Sequence, residues 1–462
     1  MKDLTQGSVI KTILAMAIPV AASMLFQTLY VLIDLYFVAA ISEDAVAGVG
    51  TAGTLMFMIM AITQVLGVSA VALISQAVGR KDQVQANIVF NQSLVLSLLC
   101  AFITITLGYV LGRSYLAGIS ADQGALEEGV TFLYWFLPAM AVQFPIIAMA
   151  SSLRATGIVQ PTMIIQIVTV LLNIVLAPIL IAGWGPGPAL GVMGAALATT
   201  IASFVGLLLI TVYFIKLEKY VAIKPATWMP NFKLWWRMFD IGLPAGGEMV
   251  LLFVYFAAVY WLIQDFGATA QAGFSIGGRV MQSIFLPTMA IAFAVGPIVG
   301  QNFGAGFPDR VRETFYKGML LSTVVMLTVT IILQWRPEIV VRVFTDEPEV
   351  VRVASVFLQI VSWNFITQGI VFTASGVFQG LGNTRPSLFS SMLRIVVFVP
   401  LALFVSNREG FVIEHVWYVS VVSVVIQACF SVWLVTREFR KRFGDGEPEP
   451  QAAAAGAETG QG

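Results

Sequence analysis

Gln76-Ala-Val-Gly79 returns as Gln301-Asn-Phe-Gly304, and the distance between the copies, 225 residues (301 − 76), decides the architecture. The same offset joins Ile18-Pro19 to Leu243-Pro244, Ala47-Gly48 to Ala272-Gly273, and Phe132-Leu133 to Phe357-Leu358. It also joins the frame Gly157-x-x-x-Pro161 to Gly382-x-x-x-Pro386. A register that holds this far is a tandem duplication, and its unit of roughly 200 residues is far longer than the 20 to 50 of a solenoid repeat.

Each copy is hydrocarbon-compatible. Of 462 residues 58% are hydrophobic and 11% charged, with mean hydropathy +0.89. Soluble chains carry about 25% charged residues, so the pattern is that of an integral membrane protein. Apolar runs of about 20 residues, each long enough to cross the bilayer as a helix, recur twelve times. They fall near 9–39, 45–78, 88–112, 130–152, 159–182 and 188–215, then near 238–264, 270–302, 315–334, 351–375, 386–405 and 412–435. An even number of spans per copy gives both copies the same topology, a parallel repeat about an axis along the membrane normal. The expected fold is an all-α membrane protein with twelve transmembrane helices in two parallel-repeat six-helix bundles. The bundles are expected at 1–215 and 238–440, with a cytoplasmic interdomain linker at 216–237 and a disordered tail at 441–462.

The formal net charge is zero, so the distribution of charge is the informative quantity. With a cytoplasmic N-terminus, 18 of the 25 Lys and Arg fall on the inner side, five outside, and two, Arg279 and Arg394, within spans. That bias predicts cytoplasmic termini and a multi-pass protein of the inner (plasma) membrane. Both cysteines, Cys100 and Cys429, lie in apolar runs, which argues against disulfides or a thiolate metal site. No G-x-x-x-x-G-K-[ST] loop is present, so ATP hydrolysis by the chain, or an ATPase subunit, is not implied. The single histidine, His415, leaves no zinc motif, and no basic aromatic surface points to nucleic acid. The expectation is a transporter without a cofactor, working on small molecules in the bilayer.

Polar residues inside the spans are the candidates for function, because charge in hydrocarbon is costly and normally faces a cavity. Ser23, Gln27, Tyr30 and Asp34 share one face of the first helix, at spacings of 4, 3 and 4. A helix-end aspartate reaching for the outer interface is the alternative for Asp34. Gln166, Thr169 and Asn173 form a similar stripe on the fifth span, and Thr199, Thr200 and Ser203 lie on the sixth. Their oxygens could surround Asp34 and a proton or sodium ion, or serve as interhelical hydrogen bonds. In the second copy Tyr255 answers Tyr30, but Val259 stands where Asp34 would be, and Glu248 answers Ser23. Glu248 must titrate, bind a cation or pair with Arg279 or Arg394. Asn364 and Gln368 share a face of the tenth span.

The stretches Ile33-Asp-Leu-Tyr-Phe-Val-Ala-Ala-Ile-Ser-Glu-Asp-Ala-Val-Ala-Gly-Val-Gly50, Ser75-Gln-Ala-Val-Gly-Arg80, Leu153-Arg-Ala-Thr-Gly-Ile-Val-Gln-Pro161 and Phe378-Gln-Gly-Leu-Gly-Asn-Thr-Arg-Pro386 resemble, in this order, the multidrug and toxin extrusion (MATE) family. The resemblance covers about residues 8–440. It implies a V-shaped central cavity between the bundles, alternating access, and export of cationic amphipathic compounds against a proton or sodium gradient. Asp34 matches the family's first-span aspartate and Asn173 its fifth-span asparagine. Two positions depart from the pattern. Ala177 replaces an acid found one turn beyond the asparagine in some members, which disfavours sodium. Leu252 and Gln368 stand where another branch carries acids on its seventh and tenth spans, with Glu248 one turn before Leu252.

The expected function is therefore a secondary antiporter, not an enzyme, exporting cationic amphipathic drugs or toxic organic compounds for protons, with sodium the second choice. Asp34, Asn173, Thr199 and Thr200 are the expected ion-coupling residues, and a sodium site, if any, lies at Asp34 and Asn173. Gln27, Tyr30, Asp34, Glu248, Tyr255, Asn364 and Gln368 are the expected substrate contacts. The alternative is a flippase for lipid-linked saccharides, which needs a cationic cavity that only Arg279 and Arg394 could supply.

Overall fold

The computed structural model describes residues 1–120, 122–184 and 188–444, apart from the side chains of residues 31, 32, 34 and 35. Among these residues all regular structure is helical. The first copy forms α1 (Val9–Ala39), α2 (Glu43–Gly79), α3 (Gln83–Ala117), α4 (Gln123–Ala155), α5 (Gln160–Ala182) and α6 (Gly191–Lys216). The second forms α7 (Phe232–Leu262), α8 (Ala268–Gly304), α9 (Pro308–Trp335), the short α10 (Pro337–Val341), α11 (Pro348–Val361), α12 (Trp363–Leu381), α13 (Arg385–Ser406) and α14 (Ile413–Phe443). Eleven of the described helices are long and apolar enough to span a membrane, and α11 with α12 makes a twelfth, bent span.

Hydropathy locates these helices, but caps end them. Helix α2 begins where the Ser42 hydroxyl accepts from the Ala45 amide at 3.0 Å, and α3 where Asp82 accepts from Gln85 at 2.9 Å. Asp122 and Asn231 act likewise on Ala125 and Leu234. Helices therefore overrun the apolar stretches: the third runs over Gln83–Ala117 where the apolar run is 88–112. Helix α14 likewise continues to Phe443, beyond the expected start of the tail, and residues from 445 onward lie outside the described residues.

The tenth span, read as one run over 351–375, is two helices meeting at 54° beside Ser362. Side chains of α9 take up the backbone groups freed at the bend. Thr330 Oγ1 donates to the Ser362 carbonyl at 2.9 Å, and Gln334 Nε2 donates to the Gln359 carbonyl at 2.6 Å and the Ser362 hydroxyl at 2.9 Å. A break in hydrocarbon is tolerable when neighbouring helices satisfy it in this way.

The connection between the copies is held along its length by α3. Asn87, Asn91 and Gln92 are buried and turn their amides onto the backbone of residues 220–231. Asn87 Oδ1 accepts from Ala222 N, Asn91 Oδ1 from Lys224 N and the Trp228 indole, and Gln92 Oε1 from Asn231 N. Hydropathy shows these residues only as a polar start to the third span.

The two copies pack together through α1, α2, α7 and α8, and at the end of the molecule that carries the N-terminus and the end of α14 the seam keeps the repeat's symmetry. Gln76 Nε2 of α2 donates to the Gly380 carbonyl of α12 at 2.9 Å, and Gln301 Nε2 of α8 donates to the Ala155 carbonyl of α4 at 2.8 Å. Donors and acceptors are each 225 apart (301 − 76, 380 − 155). A Cβ on Gly79 would overlap the Gln301 carbonyl, and one on Gly304 the Gln76 carbonyl, so only glycine lets α2 and α8 approach this closely. The N-terminal residues then strap the seam. Lys2 N donates to Thr156 O at 2.8 Å, Leu4 N to Gln301 Oε1 at 3.0 Å, and the fully buried Leu4 side chain packs among α8, α9 and α12 residues.

Candidate functional site

In the first copy the expected cluster assembles from three helices. The Tyr30 hydroxyl of α1 lies 2.7 Å from Thr199 Oγ1 of α6, and Asn173 Nδ2 of α5 donates to the same oxygen at 3.4 Å. Asn173 is 1% exposed and Thr199 8%. Tyr30 precedes Asp34 by one turn of α1. The Asp34 side chain itself lies outside the described residues. Thr200 faces the other way, its hydroxyl donating to the Trp135 carbonyl of α4 at 2.7 Å. Gln27 is exposed, one turn before Tyr30 on the α1 stripe. Ser23 returns its hydroxyl to the Pro19 carbonyl within α1.

In the second copy polar groups occupy two levels on α7, α12 and α13. At the level nearer the termini, Glu248 Oε2 of α7 accepts from Ser375 Oγ of α12 at 3.2 Å, and Ser387 Oγ of α13 donates to Ser375 Oγ at 2.9 Å. Glu248 Oε1 is buried with no hydrogen-bond partner among the described residues. Seven residues along each helix stand Tyr255 on α7, Gln368 on α12 and Arg394 on α13, because α12 runs opposite to the other two. That spacing is two turns, about 10 Å of helix rise.

At this second level the Arg394 guanidinium lies over the Tyr255 ring, its carbon 3.9 Å from the centroid. Arg394 Nη1 reaches Gln368 Oε1 only at 3.5 Å, and its Nε is buried without a partner. The Tyr255 hydroxyl lies 2.7 Å from Ser420 Oγ of α14, and Asn364 Nδ2 donates to that oxygen at 3.3 Å. Phe398 packs on the Tyr255 ring at 5.0 Å between centroids. The structure thus brings together Tyr255, Asn364 and Gln368, as the polar faces suggest, and adds Arg394 and Ser420. Glu248 is not with them. It forms no ion pair with Arg279 or Arg394 among the described residues: its carboxylate is on Ser375, Arg394 is on Tyr255, and Arg279 is exposed on α8. Sequence reasoning names both arginines as candidate partners because it has no measure of height along packed helices.

Comparison with known proteins agrees with this architecture. The MatE family profile matches residues 19–179 and 244–404, once in each copy. The chain belongs to the MatE family. Among similar proteins, the probable multidrug resistance protein NorM of Thermotoga maritima is 26% identical over 390 residues, covering 83% of either chain. The multidrug export protein MepA of Staphylococcus aureus is 25% identical over 408 residues, 87% of this chain and 88% of its own. Among solved structures, an outward-facing multidrug resistance MATE family transporter superposes with TM-score 0.88 at 22% identity, covering 95% of this chain and 98% of that one. This MatE protein is therefore a multi-pass membrane transporter of two repeated halves, and not an enzyme. The described residues hold no group of three or more His, Cys, Asp or Glu that could bind a metal ion.

Proposed function

We propose that this MatE protein is a secondary antiporter that exports amphipathic organic compounds in exchange for protons by alternating access. The Lys and Arg bias supports cytoplasmic termini in the inner membrane, so the sealed, strapped end faces the cytoplasm. The observation that carries the reading is the cluster of half-buried Tyr30 with buried Thr199 and Asn173, one turn along α1 from Asp34. A carboxylate at that position has neutral hydrogen-bonding groups nearby, so its own charge is the variable that can bias α1 between two packings. Asp34 takes up a proton from one side and releases it to the other. Asn173 and Thr199 hold the surrounding hydrogen bonds, and Gln27 and Tyr30 offer substrate contacts on the same stripe. With Ala177 in place of a second acid, proton coupling is preferred to sodium.

The test is reconstitution in liposomes, following export of a cationic dye under separate proton and sodium gradients. Export driven by the proton gradient is expected; inertness to both gradients would falsify the antiporter reading. A second reading, the flippase for lipid-linked saccharides, is favoured by one observation: neither Arg279 nor Arg394 has a carboxylate partner among the described residues. Scrambling of a fluorescent phosphate-bearing lipid that needs no gradient would select it.

A further inference from the structure

An arginine inside a membrane span is expected to have an acidic partner, and Arg394 has none among the described residues. It lies mid-way along α13, half-buried, stacked on Tyr255 and held by one long bond to Gln368. Its Nε is buried and unpartnered, and the Asn364 carbonyl oxygen on the facing α12 is unpartnered as well. Glu248, the acid on α7 beside α12 and α13, sits two turns away and accepts from Ser375. The stacking fixes the plane of the guanidinium and leaves its Nε–H without a partner among the described residues. A planar fork of this kind matches a carboxylate or phosphate oxygen pair.

We infer that Arg394, flanked by Gln368 and Tyr255, is a subsite for the oxyanion of a transported amphiphile, a carboxylate in the first instance. The inference rests on the transporter reading and narrows its substrate class from cations to molecules that also carry an acid. Glu248 stays outside the subsite. Tyr255 and Gln368 position Arg394, and the unpartnered Asn364 oxygen can accept from a neutral N–H or O–H of the same ligand.

Binding to the full-length protein in neutral detergent, read by fluorescence anisotropy, tests this with a rhodamine bearing a free benzoate and with its methyl ester. The wild type is expected to bind the free acid roughly tenfold or more tighter than the ester, the loss typical of a missing hydrogen bond to a charged group. Arg394→Gln should erase that preference while ester affinity stays within about twofold. Should Arg394→Gln fail to accumulate, Arg394→Lys, which keeps the cation but loses the fork and the stacking, should still reduce the preference. Equal affinities in the wild type, or a preference unchanged in the variant, overturn the inference. So does Arg394-dependent thermal stabilisation by phosphatidylglycerol over phosphatidylcholine without any acid preference, which assigns the subsite to a lipid headgroup. Gradient-driven flux of either dye with no acid preference in binding defeats the subsite alone, whereas absence of flux for both defeats the transporter reading.

Discussion

Tyr30 and Tyr255 occupy the same place in the two copies, each with its hydroxyl 2.7 Å from a hydroxyl on the last helix of its half, yet their surroundings have opposite character. Asn173 beside the first is answered by Phe398 beside the second (398 − 173 = 225), and Thr169 by Arg394 (394 − 169 = 225). Ser23, bonded to its own helix, is answered by Glu248. The tyrosine bond between first and last helix survived duplication because it joins two helices whatever else changes. The charge around it did not, so one half holds an acid on α1 and the other, on α13, an arginine with no acidic partner among the described residues. The two tyrosine clusters can diverge in this way because each is built within its own half, whereas the packing that α1 and α2 share with α7 and α8, and the seam at Gln76 and Gln301, tie the halves to each other.

The comparison breaks first at the acid. Asp34→Asn should abolish coupled efflux while leaving insertion and thermal stability intact, since the amide keeps the shape but cannot titrate. Wild-type transport by that variant in proteoliposomes would make Asp34 structural and remove the functional contrast between the halves. The next largest effect is expected from making the second lobe resemble the first. Phe398→Asn removes a fully buried ring from the Tyr255 cluster and should cost about 3–5 kcal/mol, read as a lowered melting temperature. Little change would mean that the aromatic packing around Tyr255 does not hold the lobe together.

Glu248 and Arg394 sharpen the contrast further. Glu248→Gln should weaken export of cations and spare neutral and zwitterionic compounds. Combined with Arg394→Gln, its effect on stability should add to within about 0.5 kcal/mol, as for sites without shared partners. A coupling of several kcal/mol, with the double variant more stable than either single one, would restore the ion pair that the structure leaves unmade. The smallest effect should be Tyr255→Phe, about 1 kcal/mol, because Ser420 keeps its bond from Asn364 and the ring still lies under Arg394. A larger loss than for Tyr30→Phe would show that the Tyr255 hydroxyl is part of the oxyanion subsite rather than a brace.

Much of the first-copy site was legible in the sequence, because helical spacing alone puts Tyr30 and Asp34 on one face and the stripes of α5 and α6 had few other uses. Thr200 shows the limit: it is adjacent to Thr199 in the chain, yet about 100° round the helix it meets the Trp135 carbonyl instead. The amide ladder of α3 was not legible, since Asn87, Asn91 and Gln92 look like a solvated helix start until the connection between the copies is laid across them. Arg394 was visible as a charge in a span, but its stacking on Tyr255 was not.

What the sequence determined by itself was the membrane class, the number of spans, their parallel duplication and the family. These follow from the need of every backbone group in hydrocarbon to be satisfied within a helix, and from a register of 225 residues that needs no coordinates to read. What only the tertiary structure decided was which polar groups meet. That depends on the rotation and relative height of α7, α12 and α13, and a shift of two turns separates an ion pair from an acid held by Ser375 and an arginine held by Tyr255 and Gln368. Helix rotation and height are set by side-chain packing between helices, and hydropathy carries no record of them.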